Sequence, residues 1–276
     1  MKTFSISGRV ALVTGGAGGF GQAFSEELVR RGGRVVVTDL NLEGAEQVAE
    51  ALRENGGEAW AVQLDVTDPD AWEALAESLA AEGRTPSILI NNAGIGAIGL
   101  ALDVPLHTWR AVIEVCFWGV LHGCQTFGRR WRAAGEEAMV INVSSSSAFL
   151  GLPQANAYAI AKAGVLALSH TLSCEIDPNH IRFTTVCPSG VPTGIGATSE
   201  TLGTADADTN ARVRRMLEPS GRTTDRVARA AIAGAIRGRP LVRVHPESWG
   251  LELARRLLPT RLTIAFGRIF ARRLVR

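Results

Sequence analysis

The stretch RVALVTGGAGGFG, residues 9–21, joins a short apolar run to a helical pattern through a glycine-rich turn. Gly15 and Gly19 allow the backbone to turn tightly and approach a pyrophosphate, and Gly21 allows the helix to pack closely on the strand. The first helical turn adds free N–H groups and the positive end of the helix dipole, which bind phosphates. Plain turns also use glycine, but a strand before and a helix after this turn favour a dinucleotide site.

Short apolar runs alternate with amphipathic stretches along the rest of the chain. The candidate strands lie at 9–14, 34–39, 59–65, 87–91, 139–144, 181–187 and 241–245. The candidate helices lie at 19–31, 41–55, 68–82, 107–133, 156–175 and 223–237. Strands that are apolar almost throughout are typical of a parallel sheet covered on both faces. The alternation predicts an α/β fold with a parallel sheet, in a single domain over residues 1–250.

The second candidate strand ends in Asp39, 18 residues after Gly21. A carboxylate at this position can accept hydrogen bonds from the ribose hydroxyls of an adenosine. It would repel a 2′-phosphate, and neither Gly18 nor Leu40 supplies a positive charge to offset that repulsion. The position therefore favours NAD over NADP, with an aspartate that caps the next helix as the alternative.

Composition and charge exclude several classes of protein. The net charge of +2 does not indicate a nucleic-acid-binding surface, and the histidines show no metal-ligand spacing. The four cysteines lack C-x-x-C spacing, which predicts buried thiols in an intracellular protein. They are Cys116, Cys124, Cys174 and Cys187. The chain shows neither a signal peptide nor an apolar run of about 18 residues, so we expect a cytoplasmic protein.

The stretch YAIAK, residues 158–162, holds the only tyrosine of the chain and one of its two lysines, the other being Lys2. Tyr158 and Lys162 are spaced i,i+4 in a helical pattern, so they share a helix face. A nearby cation favours the phenolate. A shift of the phenol pKa from about 10 to near 7 needs on the order of 4 kcal/mol. The Lys162 ammonium and the positive charge of an oxidised nicotinamide are the expected sources of this lowered pKa.

Ser145 lies 13 residues before Tyr158, at the end of the fifth candidate strand. Ligands bind at the carboxyl edge of a parallel sheet. The serine hydroxyl can therefore hold the carbonyl or alcohol oxygen of a substrate beside the tyrosine. The run of four serines at 144–147 also suits an ordinary polar strand exit.

Together these motifs resemble the classical short-chain dehydrogenase/reductase family over residues 7–245. The resemblance rests on TGGAGGFG at 14–21, LDVTD at 64–68, NNAG at 91–94, Ser145 with YAIAK, and PSGVPT at 188–193. It implies a doubly wound Rossmann fold with a seven-stranded sheet of order 3-2-1-4-5-6-7. It further implies hydride transfer between NAD and an alcohol or ketone. A homodimer or homotetramer through the helices at 107–133 and 156–175 is expected on the same ground.

The resemblance also implies a role for each site residue. Tyr158 is the general acid/base, Ser145 orients the substrate oxygen, and Lys162 holds the nicotinamide ribose and lowers the tyrosine pKa. Asp65 and Val66 border the adenine. The implied cofactor-binding residues are Gly15, Gly19, Phe20, Gly21, Asp39, Leu40, Asp65, Val66, Asn91, Ala93, Gly94, Tyr158, Lys162, Pro188, Val191 and Thr193. No metal is implied.

Two positions depart from the family pattern. The family carries an asparagine in the helix after NNAG, and it helps hold a water that links the lysine to solvent. This chain has Cys116 there, and a thiol is a weaker donor and acceptor. We expect either another group in the proton path or slower catalysis, with a buried neutral thiol as the default and a redox role as the alternative. The second departure is Ser189, where the family has glycine, although Gly190 follows and can form the turn.

A substrate loop is expected at 190–222, with a helix near 207–218, because this long polar stretch is typical of a mobile lid. Apolar residues follow the catalytic serine and the NNAG motif. They are Phe149, Leu150, Leu152, Ile95 and Ile98. They favour a lipophilic secondary alcohol or ketone, although core packing explains the same residues.

The tail, residues 251–276, carries seven arginines against one glutamate, a net charge of +6 that leaves −4 for the remainder. Leu262, Phe266, Ile269, Phe270 and Leu274 form a helical stripe in it. A basic amphipathic helix of this kind can lie on an anionic membrane surface. It can equally dock on its own domain or on a second subunit, and the sequence leaves these readings open.

Three classes of function remain open at this point. The first is an NAD-dependent alcohol dehydrogenase or ketoreductase, which the residues favour. The second is other chemistry of the same family, such as imine reduction or redox-assisted epimerisation. The third is a catalytically weak NAD-binding protein with a regulatory role, suggested by Cys116.

Overall fold

The computed structural model describes residues 3–151, 153–191, 211 and 223–275, with side chains as far as residue 269. Its strands are β1 Val10–Thr14, β2 Arg34–Asp39, β3 Ala59–Gln63, β4 Ile88–Asn91, β5 Ala138–Val143, β6 Ile181–Cys187 and β7 Leu241–Arg243. They form one parallel sheet of order β3-β2-β1-β4-β5-β6-β7. The α/β class and the expected strand order are therefore confirmed.

Helices cover both faces of the sheet. They are α1 Gly19–Arg30, α2 Leu42–Glu54, α3 Pro69–Ala81, α4 Leu106–Ile113, α5 Gly119–Ala134, α6 Asn156–Glu175, α7 Thr224–Ile236, α8 Pro246–Leu257 and α9 Thr260–Val275. A π-helical turn, Glu114–Trp118, joins α4 to α5, and a 3₁₀ turn, Ser146–Ala148, follows β5. Two of these features were not predicted: the 107–133 helix is divided by the π turn, and α8 was missed.

Strand β1 shows why the strands consist almost entirely of apolar residues. Ala11 and Val13 face the side covered by α1, α2 and α7, while Val10 and Leu12 face the side covered by α3, α5 and α6. Successive side chains of a strand point to opposite faces, and all five residues of β1 are buried. A strand in the middle of such a sheet has no solvent-facing side, so it needs apolar residues at every position.

Local signals fix where several helices begin. Side chains accept hydrogen bonds from backbone N–H groups at three N-caps: Asn41 for α2, Asp68 for α3 and Thr223 for α7. These caps satisfy donors that have no partner within the helix. Helix α5 ends at Gly135 with φ of 67°, a conformation that glycine adopts without strain. Asn41 therefore caps α2, which sets aside the interpretation of Asp39 as that cap.

Helix α8 is fastened to the carboxyl edge of the sheet. The Ser248 hydroxyl donates to the carbonyl of Cys187 at 2.8 Å, and the Ser189 N–H donates to His245 Nδ1 at 3.2 Å. The carboxylate of Glu252 pairs with Arg243 on β7 and with Arg256. These contacts hold the start of α8 beside the 3₁₀ turn that follows β5.

Helix α9 contacts α8 and leaves its apolar stripe uncovered. Leu262, Phe266 and Ile269 are each more than half exposed, at 53%, 54% and 56%. These three side chains are therefore not covered by the domain itself, and docking on a second subunit or on a membrane surface stays a prediction. The side chains of Phe270 and Leu274 lie outside the described part. None of the described helices has the length and apolarity needed to cross a membrane.

We expect Glu252→Gln to lower the free energy of unfolding by about 1–3 kcal/mol at pH 7, because it weakens a hydrogen-bonded ion pair at a buried carboxylate. The hydrogen bond from Arg243 holds the pKa of Glu252 below its usual 4.5, against the opposing effect of burial. A carboxylate with a depressed pKa stabilises the fold above its unfolded pKa and loses that effect as the pH falls through its folded pKa. Urea unfolding from pH 7 to pH 3 measures the difference between variant and parent.

That difference should shrink below about pH 4.5, since protonation neutralises the parent carboxylate. The matched control is Glu50→Gln at an exposed position of α2, for which we expect little change at any pH. A Glu252→Gln deficit that stays constant down to pH 3 would contradict the ion-pair explanation.

Candidate active site

The glycine-rich turn between β1 and α1 leaves no room for side chains at two positions. A Cβ on Gly21 would lie 2.1 Å from the Gly15 carbonyl oxygen, and a Cβ on Gly15 would lie 2.8 Å from the Cα of Ala93. Gly15 and Gly19 also have φ of 62° and 57°, which other residues rarely adopt. Gly16, which the sequence analysis did not single out, is equally crowded: its Cβ would meet Val37 at 2.4 Å.

The exit of β4 braces this turn. The Thr14 hydroxyl accepts from the N–H groups of Asn92 and Ala93 at 3.0 and 3.1 Å. The Asn92 side chain donates to the carbonyls of Thr14 and Gly15 at 2.9 and 3.0 Å. Thr14 and Asn92 belong to the quoted motifs but received no role from sequence, because their partners are backbone atoms of a distant segment.

Asp39, at the end of β2, points toward the glycine-rich turn. One carboxylate oxygen accepts from the N–H of Ala17 and the other from the N–H of Asn41, both at 3.0 Å. The neighbouring Leu40 is 63% exposed, and Phe20, on the first turn of α1, is partly buried against the core. Asp39 therefore stands beside the turn with its carboxylate in a fixed orientation.

The structure fits a dinucleotide along this edge. Gly18 is the N-cap of helix α1, and no side chain of the described residues caps the helix, so its first N–H groups point toward the turn without a side-chain acceptor. Gly15, Gly16 and Gly21 pack so closely on neighbouring residues that a Cβ would clash there, while nothing lies within 4 Å of a Cβ on Gly18, so the turn forms an open backbone cradle. The Asp39 carboxylate follows at the next strand. An uncapped helix N-terminus, a backbone cradle and an acidic strand end suit a pyrophosphate and a ribose.

Three further predicted residues lie after β3 and on β4. Asp65 is exposed and accepts from Thr67, while Val66 is buried and its carbonyl accepts from the Trp72 indole at 3.0 Å. The side chain of Asn91 is 2% exposed and donates to Asn142 at 2.8 Å. Asn91 therefore faces the core with its side chain, and only its backbone is available at the cleft.

Ser145, Tyr158 and Lys162 meet where β5 ends and α6 begins. The Ser145 hydroxyl, which accepts from the Ser147 N–H at 3.2 Å, lies close enough to the Tyr158 phenol to favour its ionised form. The Lys162 ammonium lies 5.6 Å from the centroid of the Tyr158 ring and donates to the Val143 carbonyl at 2.7 Å. Ser144 donates to the Lys162 carbonyl at 2.8 Å. The serine run is thus divided: Ser144 ties β5 to α6, and Ser145 faces the tyrosine.

Burial governs the ionisation of this group. Burial raises the pKa of Tyr158 above its usual value, and the polar hydroxyl of the nearby Ser145 only partly opposes this. It also lowers the pKa of Lys162, which is 1% exposed. In the chain alone, the pKa of Tyr158 therefore lies above its usual value, and a lowered pKa beside Lys162 and an oxidised nicotinamide stays a prediction. Burial raises this pKa because removal from water disfavours the charged phenolate.

Cys116 lies in the π-helical turn and is fully buried. Its sulfur accepts from the N–H of Ile95 at 3.3 Å, and its thiol donates to the carbonyl of Ile95 at 3.2 Å. Burial raises the pKa of Cys116, although Lys162 opposes this, so the thiol is neutral. The thiol fastens the loop after NNAG to the helix, a role that sequence alone did not suggest. Such π turns often occur at functional sites.

The loop after β6 completes the edge. Pro188 is buried, and its carbonyl accepts from the Ser146 N–H at 2.8 Å. Gly190 has φ of 50°, so it can form the turn where Ser189 replaces a glycine. Val191 is buried against the core. Thr193 and Leu152 lie outside the described residues, and so does the expected helix near 207–218 apart from residue 211.

An apolar cluster surrounds the tyrosine. Ile95 and Trp109 pack with Tyr158 against Val112, Cys116, Ala157 and Ala161, and Gly94 lies close to the Lys162 ammonium. Phe149 and Ile98 are almost wholly buried, at 4% and 7% exposed, so they contribute mainly to packing. Trp109 was missed because its pattern is that of an ordinary amphipathic helix.

The family described as short chain dehydrogenase matches the chain over residues 9–202. A solved short-chain dehydrogenase/reductase from Burkholderia phymatum, in complex with NAD, has a similar structure, with a TM-score of 0.85 and 26% identity over 95% of this chain and 96% of that one. No group of His, Cys, Asp and Glu in the described part of the chain could hold a metal ion.

Several curated relatives are similar in sequence. D-threitol dehydrogenase of Mycolicibacterium smegmatis is 33% identical over 83% of this chain and 86% of its own length. Cis-4-hydroxycyclohexanecarboxylate dehydrogenase of Sinomonas cyclohexanicum is 37% identical over 69% and 79%. The probable oxidoreductase EphD of Mycobacterium tuberculosis is 33% identical over 91% of this chain, which spans only 43% of that relative's length.

Proposed function

Because the chain belongs to the short-chain dehydrogenase family, we propose that it is an NAD-dependent oxidoreductase acting on a lipophilic secondary alcohol or its ketone. The observation that carries the proposal is the meeting of Ser145, Tyr158 and Lys162 at the carboxyl edge of the sheet. That edge also holds the glycine cradle and the Asp39 carboxylate. NAD, when bound, supplies the hydride acceptor or donor.

The residues of the chain divide the remaining work. Tyr158 accepts the hydroxyl proton of an alcohol or gives a proton to a ketone oxygen, and the Ser145 hydroxyl holds the same oxygen in place. The Lys162 ammonium keeps a positive charge beside the phenol and carries donors for the ribose hydroxyls. Since burial raises the pKa of Tyr158, the phenol is protonated at neutral pH. Ketone reduction can use that proton directly, whereas alcohol oxidation should speed up as the pH rises.

The apolar cluster of Ile95 and Trp109 beside Tyr158 supports a lipophilic substrate. Relatives named for cyclopentanol and for hydroxycyclohexanecarboxylates make cyclic secondary alcohols the first compounds to test. We further propose a domain at 1–250 with the tail extending from it, and a homodimer or homotetramer through the helices of residues 107–133 and 156–175.

Tyr158→Phe should keep NAD affinity and lose most of its turnover, because the substitution removes only the phenolic hydroxyl. Ser145→Ala should lower turnover, and Ser146→Ala, on the same 3₁₀ turn, is the control. Turnover of cyclic alcohols, ketones and imines between pH 6 and pH 10, with NAD binding measured separately, tests the proposal. Near-normal turnover by Tyr158→Phe would overturn the assignment, and turnover of imines alone would favour the other chemistry of the family.

Asp39 should make kcat/KM for NAD far exceed that for NADP, because its fixed carboxylate repels a 2′-phosphate. Asp39→Ala combined with Leu40→Arg should reverse or strongly reduce this preference, since it replaces the repulsion by attraction at an exposed position. Leu40→Arg alone is the control for added charge. A parent enzyme that prefers NADP would show that the end of β2 was misread.

Cys116→Asn should preserve the fold, raise kcat and reduce the solvent isotope effect. An amide can make the same two contacts with the backbone of Ile95 through stronger donors and acceptors than the thiol. Cys116→Ala, which removes both contacts, is the opposite variant and should lower kcat. The measurement is kcat in H2O and D2O, with thermal unfolding as control. Stable variants whose kcat and isotope effect match the parent would mean that Cys116 serves packing alone.

A further inference from the structure

Helices α8 and α9 together expose an unbroken series of large apolar side chains, here called the tail face. Trp249, Leu253 and Leu257 follow one another at i, i+4 and i+8 on α8, and Leu262, Phe266 and Ile269 at i, i+4 and i+7 on α9. Every one of the six is more than half exposed. Single exposed apolar residues are ordinary, but a contiguous series on consecutive helices indicates a surface that another body covers.

Positive charges predominate around the tail face. Arg255, Arg256, Arg261 and Arg268 are exposed beside the apolar side chains, and residues 251–276 carry a net charge of +6. The one acidic residue of this segment, Glu252, already pairs with Arg243 and Arg256. The tail face is therefore apolar along its middle. Its border carries more arginines than the acidic residue of this segment can neutralise.

We propose that the tail face binds the surface of an anionic lipid bilayer. An amphipathic helix with arginines beside an apolar stripe buries that stripe at the boundary of headgroups and acyl chains. Trp249 adds an aromatic ring of the kind enriched at such interfaces. A second copy of the chain is a less suitable partner for this face. A symmetric contact would bring two segments of charge +6 together, and they would repel each other. An anionic surface complements both the apolar side chains and the arginines.

Docking in this way would present the candidate active site to the bilayer. Helix α8 is held to the end of β6 by the Ser248–Cys187 hydrogen bond and packs beside the 3₁₀ turn after Ser145. The tail face therefore starts at the carboxyl edge of the sheet, where the substrate binds in the proposed function. The lipid contact itself does not depend on that function.

The full chain should float with vesicles of phosphatidylcholine and phosphatidylglycerol, should not float with phosphatidylcholine alone, and should be released by high salt. Arg261→Gln with Arg268→Gln should weaken binding on the order of 30-fold, since each arginine near an anionic surface contributes about a fivefold change. The matched control is Arg237→Gln with Arg239→Gln, which removes the same charge from an exposed turn away from the tail, and should bind like the parent.

Leu262→Ser with Phe266→Ser should abolish flotation and leave the oligomeric state unchanged, because it removes apolar side chains without altering charge. Circular dichroism verifies that each variant is folded. Absence of flotation by the parent would overturn the proposal, as would equal loss by both pairs of arginine variants. An oligomer that dissociates on Leu262→Ser with Phe266→Ser, from a parent that ignores vesicles, would assign the tail face to a second copy instead.

Discussion

The close approach of backbone to backbone at the glycine-rich turn is the constraint on which the site depends. Gly21 touches the carbonyl of Gly15, and Gly15 touches Ala93, with no space for a Cβ at either contact. Three segments, the end of β1, the start of α1 and the exit of β4, are thereby locked at distances that side chains would prevent. The hydrogen bonds of Thr14 and Asn92 then fix their register. The residues that line the cleft are positioned relative to this junction.

The second junction joins β5 to α6 and controls the chemistry. Ser144 donates to the carbonyl of Lys162, and the ammonium of Lys162 donates to the carbonyl of Val143. The lysine is thus bound to the strand by its backbone and by its side chain. These bonds hold the ammonium next to Tyr158 and away from water. Burial then shifts the pKa values of the two residues in opposite directions. The phenol therefore keeps its proton more firmly, and the ammonium loses one more readily.

Much of the architecture could be predicted from the sequence because the deciding signals are local. The glycine-rich turn and the apolar strands each act within a few residues. The π turn at Cys116 could not be predicted, since one extra residue in a helical turn leaves the apolar periodicity almost unchanged. Helix α8 was missed for a related reason: Trp249 and Leu253 face outward, so its pattern does not mark a core-facing helix.

The ionisation of the site was the least predictable property. The spacing of Tyr158 and Lys162 correctly indicates a shared helix face, but the pKa of the phenol depends on how completely the surrounding chain excludes water. That exclusion comes from Ile95, Trp109 and Cys116, which are remote in sequence. The side chain of Asn91 gives a similar lesson, because its direction is set by Asn142 on the neighbouring strand.

The burial of Lys162 has a practical consequence for its chemical modification by added reagents. Lysine is present at only two positions in the chain, and Lys162 is only 1% exposed. Amine-acylating reagents therefore find almost no other lysine on the folded surface that would compete with Lys162. A lysine whose pKa is lowered by burial is also more often the unprotonated nucleophile once a reagent reaches it. Mass spectrometry of acylation at the Lys162 peptide would therefore report how often the cleft opens, without a label having to be engineered into the chain.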